Sequence, residues 1–458
     1  MQALRGRSIA MIFQEPMTSL NPLFTVGDQV AEVLTTHEAL SPRAAQARAV
    51  ELLGKTGIPE PARRARAYAH QLSGGQRPRA MIAMALACRP SLLIADEPTT
   101  ALDVTIQAQV LELLDELQRE YQMAVLFITH DLNLARRFTS RVGVMEHGVL
   151  VEIGATEDVL TRPQHPYTRR LVDSRPQREV QALADGRRPV LTGDKLSVEF
   201  RVRAPGRFRR LCFRAVAEAS LTLARGETLG IVGESGSGKT TLGLTLLRLH
   251  EQSGGPVGGT AMFDGRDLLA LSKAELLPMR KRIQVVFQNP YASLNPRFTI
   301  GQTLLEPMTI HNIGQGAADR DARARALLAK VGLDESAMQK YPHEFSGGQR
   351  QRVAIARCLT LSPEVLVLDE AVSALDVSVQ AQVLNLLKDL QDELGLTYIF
   401  ISHDLAVVRF MADDVLVMKD GEVVEQASVA AILDHPEQEY TRRLLSAIPR
   451  GYVAAAPA

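Results

Sequence analysis

Cysteine is scarce in this sequence. Cys88, Cys212 and Cys358 are the only three in 458 residues, too far apart for zinc-site spacing or a disulfide framework. Net charge is missing as well: 52 Lys and Arg balance 52 Asp and Glu, so there is no field to gather nucleic acid. Long apolar runs are absent. The longest, Ala80 to Cys88, stops at Arg89 and Pro90, far short of the roughly 20 residues that span a bilayer. No apolar segment of the signal-peptide kind follows Met1-Gln-Ala-Leu-Arg-Gly-Arg. These absences lead us to expect a globular protein of a reducing cytoplasm, long enough for two domains of about 200 to 230 residues each.

What is present is organised around one stretch. The apolar run Thr228 to Val232 leads into Gly233, Glu234, Ser235, Gly236, Ser237, Gly238, Lys239, Thr240 and Thr241. This is the GxxxxGK[ST] phosphate loop: its glycines let backbone N–H groups curl round phosphate oxygens, Lys239 brings charge to the terminal phosphates, and Thr240 offers a hydroxyl to Mg²⁺. A helix starting near Lys239 adds its positive N-terminal end to the same anion site.

The chain also repeats itself. Gln14-Glu-Pro-Met-Thr-Ser-Leu-Asn-Pro returns as Gln288-Asn-Pro-Tyr-Ala-Ser-Leu-Asn-Pro, 274 positions on. Leu72-Ser-Gly-Gly-Gln-Arg77 returns at Phe345 to Arg350, Ile94-Ala-Asp-Glu97 at Val367 to Glu370, and Ile128-Thr-His-Asp131 at Ile401 to Asp404, each 273 positions on. So many matches near one offset indicate a tandem duplication. The phosphate loop does not repeat: Lys239 precedes Gln288 by 49 positions, which puts its first-copy equivalent about 35 positions ahead of Met1. We expect the first copy to lack about 80 residues, including the strand leading into its loop, and Met1 to be an internal methionine of a longer protein. Loss of a central parallel strand would expose apolar flanks and unpaired backbone groups, leaving the first copy unstable alone.

Taken in order, Ser8 to Phe13 reads as a strand, Gly27 to His37 and Pro42 to Leu53 as helices. Ser73 stands where an N-cap belongs, ahead of a helix over Gln76 to Cys88. Pro78, in place of Gln351 of the second copy, then falls inside that helix at a cost of up to ~3 kcal/mol. Leu92 to Ala95 and Ala124 to Thr129 read as buried strands ending at Asp96-Glu97 and at His130, with a helix over Gln107 to Glu120 between them. Alternating strands and helices imply a parallel sheet. The domain boundaries expected are 1–175, a polar linker over 176–193, a complete second domain over 194–450, and a tail over 451–458. Six arginines between Arg201 and Arg214 read as a solvated loop, with contact to anionic lipid headgroups as the sharper alternative.

In this order and combination the motifs resemble a pair of fused ABC-type ATPase domains. The fold implied is α/β: two P-loop NTPase domains in tandem, each a mainly parallel sheet with a helical subdomain, the first without its N-terminal β part and loop. Gln-x-Pro-x-x-Ser-Leu-Asn-Pro and the closing segments from Arg162 to Leu171 and from His435 to Leu445 are similar to those of dipeptide, oligopeptide and glutathione importer ATPases. The resemblance implies ATP and Mg²⁺ as cofactors. Lys239, Gln288, Glu370 and His403 are the implied catalytic set, with Thr240, Gln288 and Asp369 around the metal. Asp369 can hold the Mg²⁺ shell, and Glu370 beside it can orient or deprotonate the attacking water. An isolated Asp-Glu pair after a strand is ordinarily a cap or a solvated turn, and a lone strand-end histidine is ordinarily structural.

The family pattern also pairs each phosphate loop with the other domain's Ser-Gly-Gly-Gln. Ser73, Gly74, Gly75, Gln76 and Asp103 are therefore expected to complete the site of the second copy, leaving Gln14, Asp96, Glu97 and His130 as orphans. Phe200 and Phe213 are the candidates for the aromatic that the family stacks on adenine, and either could equally be core. Implied partners are two transmembrane permease subunits and, through them, a solute-binding protein, with no nucleic acid and only peripheral contact with the cytoplasmic face of the inner membrane. Two alternatives stand beside this reading: a catalytically compromised ATP-binding fragment, and a soluble ABC protein acting on ribosomes or nucleic acid. No cysteine follows Cys358, so the C-terminal iron–sulfur cluster of some peptide-importer ATPases is not expected.

Overall fold

The structure is a computed structural model that describes residues 4–14, 19–99, 104–173, 188–203, 210–249, 257–373 and 375–446. The chain divides into two compact units, with residues 1–173 in one and residues 174–448 in the other.

The first unit runs β1 (Ile9–Ile12), α1 (Val26–Glu38), α2 (Pro42–Lys55), α3 (Gln76–Ala85), β2 (Leu92–Asp96), α4 (Val104–Tyr121), β3 (Ala124–Ile128), β4 (Arg141–Glu146) and β5 (Val149–Ala155). Thr25 caps α1 by accepting the Asp28 N–H, and Ser41 caps α2 with Pro42 at the first helical position, where its missing N–H costs nothing. Val30, Leu34, Leu53 and Ile82 from the three helices interlock in one buried cluster with Ile12 and Leu93. The strands β1, β2 and β3 form a parallel sheet in that order, Ile9 opposite Leu92 and Leu92 opposite Ala124. A separate antiparallel hairpin holds β4 and β5.

In the second unit come β6 (Pro189–Arg203), β7 (Arg210–Ala224), β8 (Thr228–Val232), α5 (Lys239–Thr245), β9 (Val257–Phe263), β10 (Arg266–Asp267) and β11 (Ile283–Val286). They are followed by α6 (Ile300–Ile310), α7 (Ala317–Lys330), α8 (Gly347–Leu359), β12 (Val365–Asp369), α9 (Val377–Leu394), β13 (Thr397–Ile401), β14 (Asp414–Lys419), β15 (Glu422–Ser428) and α10 (Glu439–Ser446). Two sheets result. One is six-stranded, in the order β11-β12-β13-β8-β14-β15, parallel except for its last pair; the other is antiparallel, in the order β10-β9-β6-β7. Every residue of β8, β12 and β13 is buried, as continuous apolar strands covered on both faces require.

The two units differ where β8 sits. In the second unit β8 is hydrogen-bonded between β13 and β14. In the first, no described strand joins β3 to β4. Leu126 and Ile128 of β3 are 52% and 43% exposed, whereas Ile399 and Ile401, 273 positions on, are fully buried.

Three expectations change here. Strand β3, read as buried, has no buried residue, because it lies at the edge of its sheet with no described strand beyond it. The arginine run is not a simple loop: Arg201 and Arg203 end β6 and Arg210 and Arg214 belong to β7, while Arg207 and Arg209 lie outside the described residues. The alternation of Val198, Phe200 and Val202 with polar neighbours is a strand pattern that the arginines mask. The β6 ladder also starts at Pro189, inside the stretch read as linker, and residues 176–187 of that stretch lie outside the described residues.

Candidate active site

The phosphate loop leaves the end of β8 and closes at the start of α5, whose N-cap is Gly238. Two of its glycines are needed as such. Gly233 has φ +150° and Gly238 φ +100°, and a Cβ at either would come within 2.2 Å of Met418 O or 2.3 Å of Ala215 O. The backbone can curl this tightly only without side chains there. Lys239 lies buried along the loop, its Nζ donating to Gly233 O at 2.8 Å and Glu234 O at 2.9 Å. Its charge is thus held by the loop's own carbonyls.

Parallel pairing of β12 with β13 and of β13 with β8 brings the ends of these strands to one edge of the sheet. Asp369 therefore meets the loop: Thr240 Oγ1 donates to Asp369 Oδ1 at 2.7 Å. Burial pushes the Asp369 carboxyl above the ordinary aspartate value against the Thr240 hydrogen bond, and the Glu370 charge adds to the rise. A carboxylate penalised in this way gains from a cation. The donor set fits Mg²⁺ in its usual protein manner, one hydroxyl and one carboxylate with the remaining positions left to water and nucleotide phosphates. Among the described residues no cluster of three His, Cys, Asp or Glu could cage a metal unaided.

Glu370 follows in a left-handed turn, φ +45°, and joins two partners through one oxygen. Gln288 Nε2 donates to Glu370 Oε2 at 2.7 Å, and His403 Nδ1 lies 3.4 Å from the same oxygen. Burial by itself would raise the Glu370 carboxyl, but the His403 hydrogen bond and charge, with Lys239 behind them, hold it below its ordinary value. Burial likewise opposes the charged form of His403, and Glu370 outweighs it and raises the imidazole. The sequence-derived residues Lys239, Thr240, Gln288, Asp369, Glu370 and His403 thus converge on one edge of the second unit.

The first unit repeats the second half of this constellation. Gln14 Nε2 donates to Glu97 Oε2 at 2.7 Å, His130 Nδ1 lies 2.9 Å from Glu97 Oε1, and Glu97 also sits at positive φ, +43°. Residues 1–173 contain no GxxxxGK[ST] loop.

The two Ser-Gly-Gly-Gln segments fold differently. Ser346 caps α8, accepting the Gln349 N–H while Gln349 accepts the Ser346 N–H, a reciprocal capping box. Ser73, expected to do the same, is not the cap of α3: that helix starts at Gln76 after Gly75, without a side-chain cap bond. The physical reason is Pro78, which cannot donate to Gly74 O. Starting at Gln76 puts Pro78 at the third helical position, where its missing N–H is one of the four that a helix start leaves unbonded. The expected penalty of ~3 kcal/mol is avoided by a helix shortened at its N-terminus. Gly74 and Gly75 precede α3, Gln76 Oε1 accepts the Ser73 N–H at 3.3 Å, and Asp103 lies outside the described residues.

The family model described as "ABC transporter" matches residues 1–100 and 216–373. The chain belongs to the ABC transporter family. A second model, "Oligopeptide/dipeptide transporter, C-terminal region", matches residues 151–201 and 424–456, so the chain is an ATP-binding protein of the oligopeptide/dipeptide transporter type, with the ATP-hydrolysing chemistry of the family. Among its relatives is the "Peptidoglycan transport ATP-binding protein YejF" of Agrobacterium fabrum, 51% identical over 98% of this chain and 81% of the relative. The "Uncharacterized ABC transporter ATP-binding protein YejF" of Escherichia coli is 49% identical over 97% of this chain and 84% of its own length. The "Glutathione import ATP-binding protein GsiA" of Salmonella paratyphi A is 48% identical over 98% and 76%.

Sequence reasoning missed the antiparallel sheet and the partner of one residue in the closing motif. Tyr440, within the closing segment from His435 to Leu445, accepts a hydrogen bond from the phosphate loop itself. Its recurrence as Tyr167 in the first copy was the signal available.

Proposed function

We propose that this chain is the ATP-hydrolysing subunit energising a peptide-type importer, on the cytoplasmic face of the inner membrane beneath two permease subunits served by a solute-binding protein. The convergence of Lys239, Thr240, Asp369, Gln288, Glu370 and His403 at the end of β8 carries the reading. In this function Lys239 keeps Gly233 O and exchanges Glu234 O for phosphate oxygens. Thr240 and Asp369 hold Mg²⁺, which would supply charge neutralisation at the phosphates. Glu370, kept ionised by His403, accepts a proton from the attacking water, and Gln288 orients that water. Of the two aromatics, Phe213 suits adenine: it is 56% exposed on β7, two residues before Ala215, whose carbonyl abuts Gly238, whereas Phe200 packs against the core. The relatives named for peptidoglycan transport and glutathione import support a peptide-like solute. No helix among the described residues is long and apolar enough to cross a membrane, which agrees with membrane contact made through permease subunits.

The duplicated chain supplies one phosphate loop and two Ser-Gly-Gly-Gln segments. In this reading the single nucleotide is held by the second unit, while Gln14, Asp96, Glu97 and His130 serve no nucleotide within these residues. Steady ATP hydrolysis by the purified full chain tests the assignment. Lys239→Ala should lose ATP binding, and Glu370→Gln should keep binding but lose turnover by at least ~100-fold. An unaffected rate in either would sink it. A parent chain that binds ATP without turnover would instead favour the compromised-fragment reading.

A further inference from the structure

The closing motif of the second copy folds back on the phosphate loop. The Glu234 N–H donates to Tyr440 Oη at 3.2 Å, while Gly233 O, at the other end of the same peptide unit, accepts from Lys239 Nζ at 2.8 Å. One peptide plane is therefore gripped from both sides, and Gly233, at φ +150°, leaves that plane freer to rotate than any other residue type would. The tyrosine is itself firmly placed. Glu425 of β15 accepts the N–H groups of Glu437 at 2.8 Å and Gln438 at 3.2 Å together with the Thr441 hydroxyl, which fixes the entry to α10. The Tyr440 ring packs against the core of the unit and faces Lys419 Nζ at 5.2 Å. The first copy builds the same anchor, with Glu152 accepting the N–H groups of Gln164 at 2.9 Å and His165 at 3.0 Å, so the anchor belongs to the repeat.

We infer that Tyr440 is a positioning residue for ATP binding: by accepting the Glu234 N–H it fixes the Gly233–Glu234 peptide with its carbonyl beneath Lys239, and through the Glu425 anchor it makes α10 part of the nucleotide site. The inference rests on the functional reading above. A carbonyl turned toward Lys239 holds the ammonium at the centre of the loop before the nucleotide arrives. Without the hydroxyl the peptide turns about Gly233, and ATP must order it on binding. The loss falls on affinity, because the groups that act on water and on the metal, Glu370, His403, Thr240 and Asp369, are held by other contacts.

The test is Tyr440→Phe in the full chain, which removes only the oxygen. Binding of a fluorescent ATP analogue and steady hydrolysis should show Kd and KM raised about 3- to 10-fold, the scale of one hydrogen bond, with kcat within twofold and an unchanged melting temperature. Tyr440→Leu should raise Kd to the same extent. Kd within twofold of the parent in Tyr440→Phe, a fall in kcat at unchanged Kd, or an effect confined to Tyr440→Leu, which would trace it to ring packing, each overturns the inference. A parent chain that fails to bind ATP, or a Lys239→Ala chain that binds normally, overturns the functional reading along with it. A parent that binds and a Tyr440→Phe chain that matches it overturn the inference alone.

Discussion

Glu370 and His403 each make the other's charged form cheaper, against a burial that favours neither. Because the folded carboxyl titrates below its ordinary 4.5, its contribution to stability is present above that value and is lost as pH falls through the lowered one. Because the folded imidazole titrates above its ordinary 6.5, its contribution is complete below that value and is lost as pH rises through the raised one. The pair therefore stabilises the nucleotide-free chain most between these ordinary values. His403→Gln should lower the melting temperature most near pH 5.5, by the equivalent of about 1 kcal/mol or less, and the gap to the parent should close as pH rises through the raised imidazole value. A gap independent of pH in melting curves would mean that packing, not charge, joins the two residues.

At the level of elements, duplicate strands let one substitution be made in two surroundings. Ile399 in β13 is fully buried between β12 and β8; Leu126, its counterpart in β3, is 52% exposed. Ile399→Ala should cost about 2 to 5 kcal/mol and Leu126→Ala under about 1 kcal/mol, read as shifts in the urea unfolding of the full chain. Equal losses would mean that β3 is covered in solution.

The same strands show what was legible in the sequence. The apolar run Thr228 to Val232 was readable because a strand buried on both faces admits little else, and the glycines of the phosphate loop because only they can make its turn. Of the site, Lys239, Thr240, Gln288, Asp369, Glu370 and His403 were readable as types at fixed spacings. The start of α3 was not, since a proline inside a helical pattern can be met by bending the helix or by starting it later, and that choice is made by the surrounding packing. Nor were β6 and β7, whose arginines read as loop until paired across a hairpin. The grip of Tyr440 on Glu234 spans 206 positions, a distance over which spacing carries no information.

For the molecule as a whole, two copies of most motifs but one phosphate loop give a stoichiometry. Equilibrium dialysis of the full chain should find one ATP per chain, abolished by Lys239→Ala. Two equivalents, or binding that survives the substitution, would require a second site that residues 1–173 do not carry as a GxxxxGK[ST] motif. The duplicated Gln14, Glu97 and His130 would not alter the count, because without a loop cation and a curl of N–H groups they offer phosphate no compensation for its charge.

The open seam between β3 and β4 also has a meaning for the life of the protein. Met145, Val149, Leu150 and Ile153 stand exposed on the hairpin and Leu126 and Ile128 on β3, and short apolar strands with an unpaired edge are what chaperones hold and proteases thread. Limited proteolysis of the full chain is therefore expected to begin in the first unit, at these exposed apolar strands.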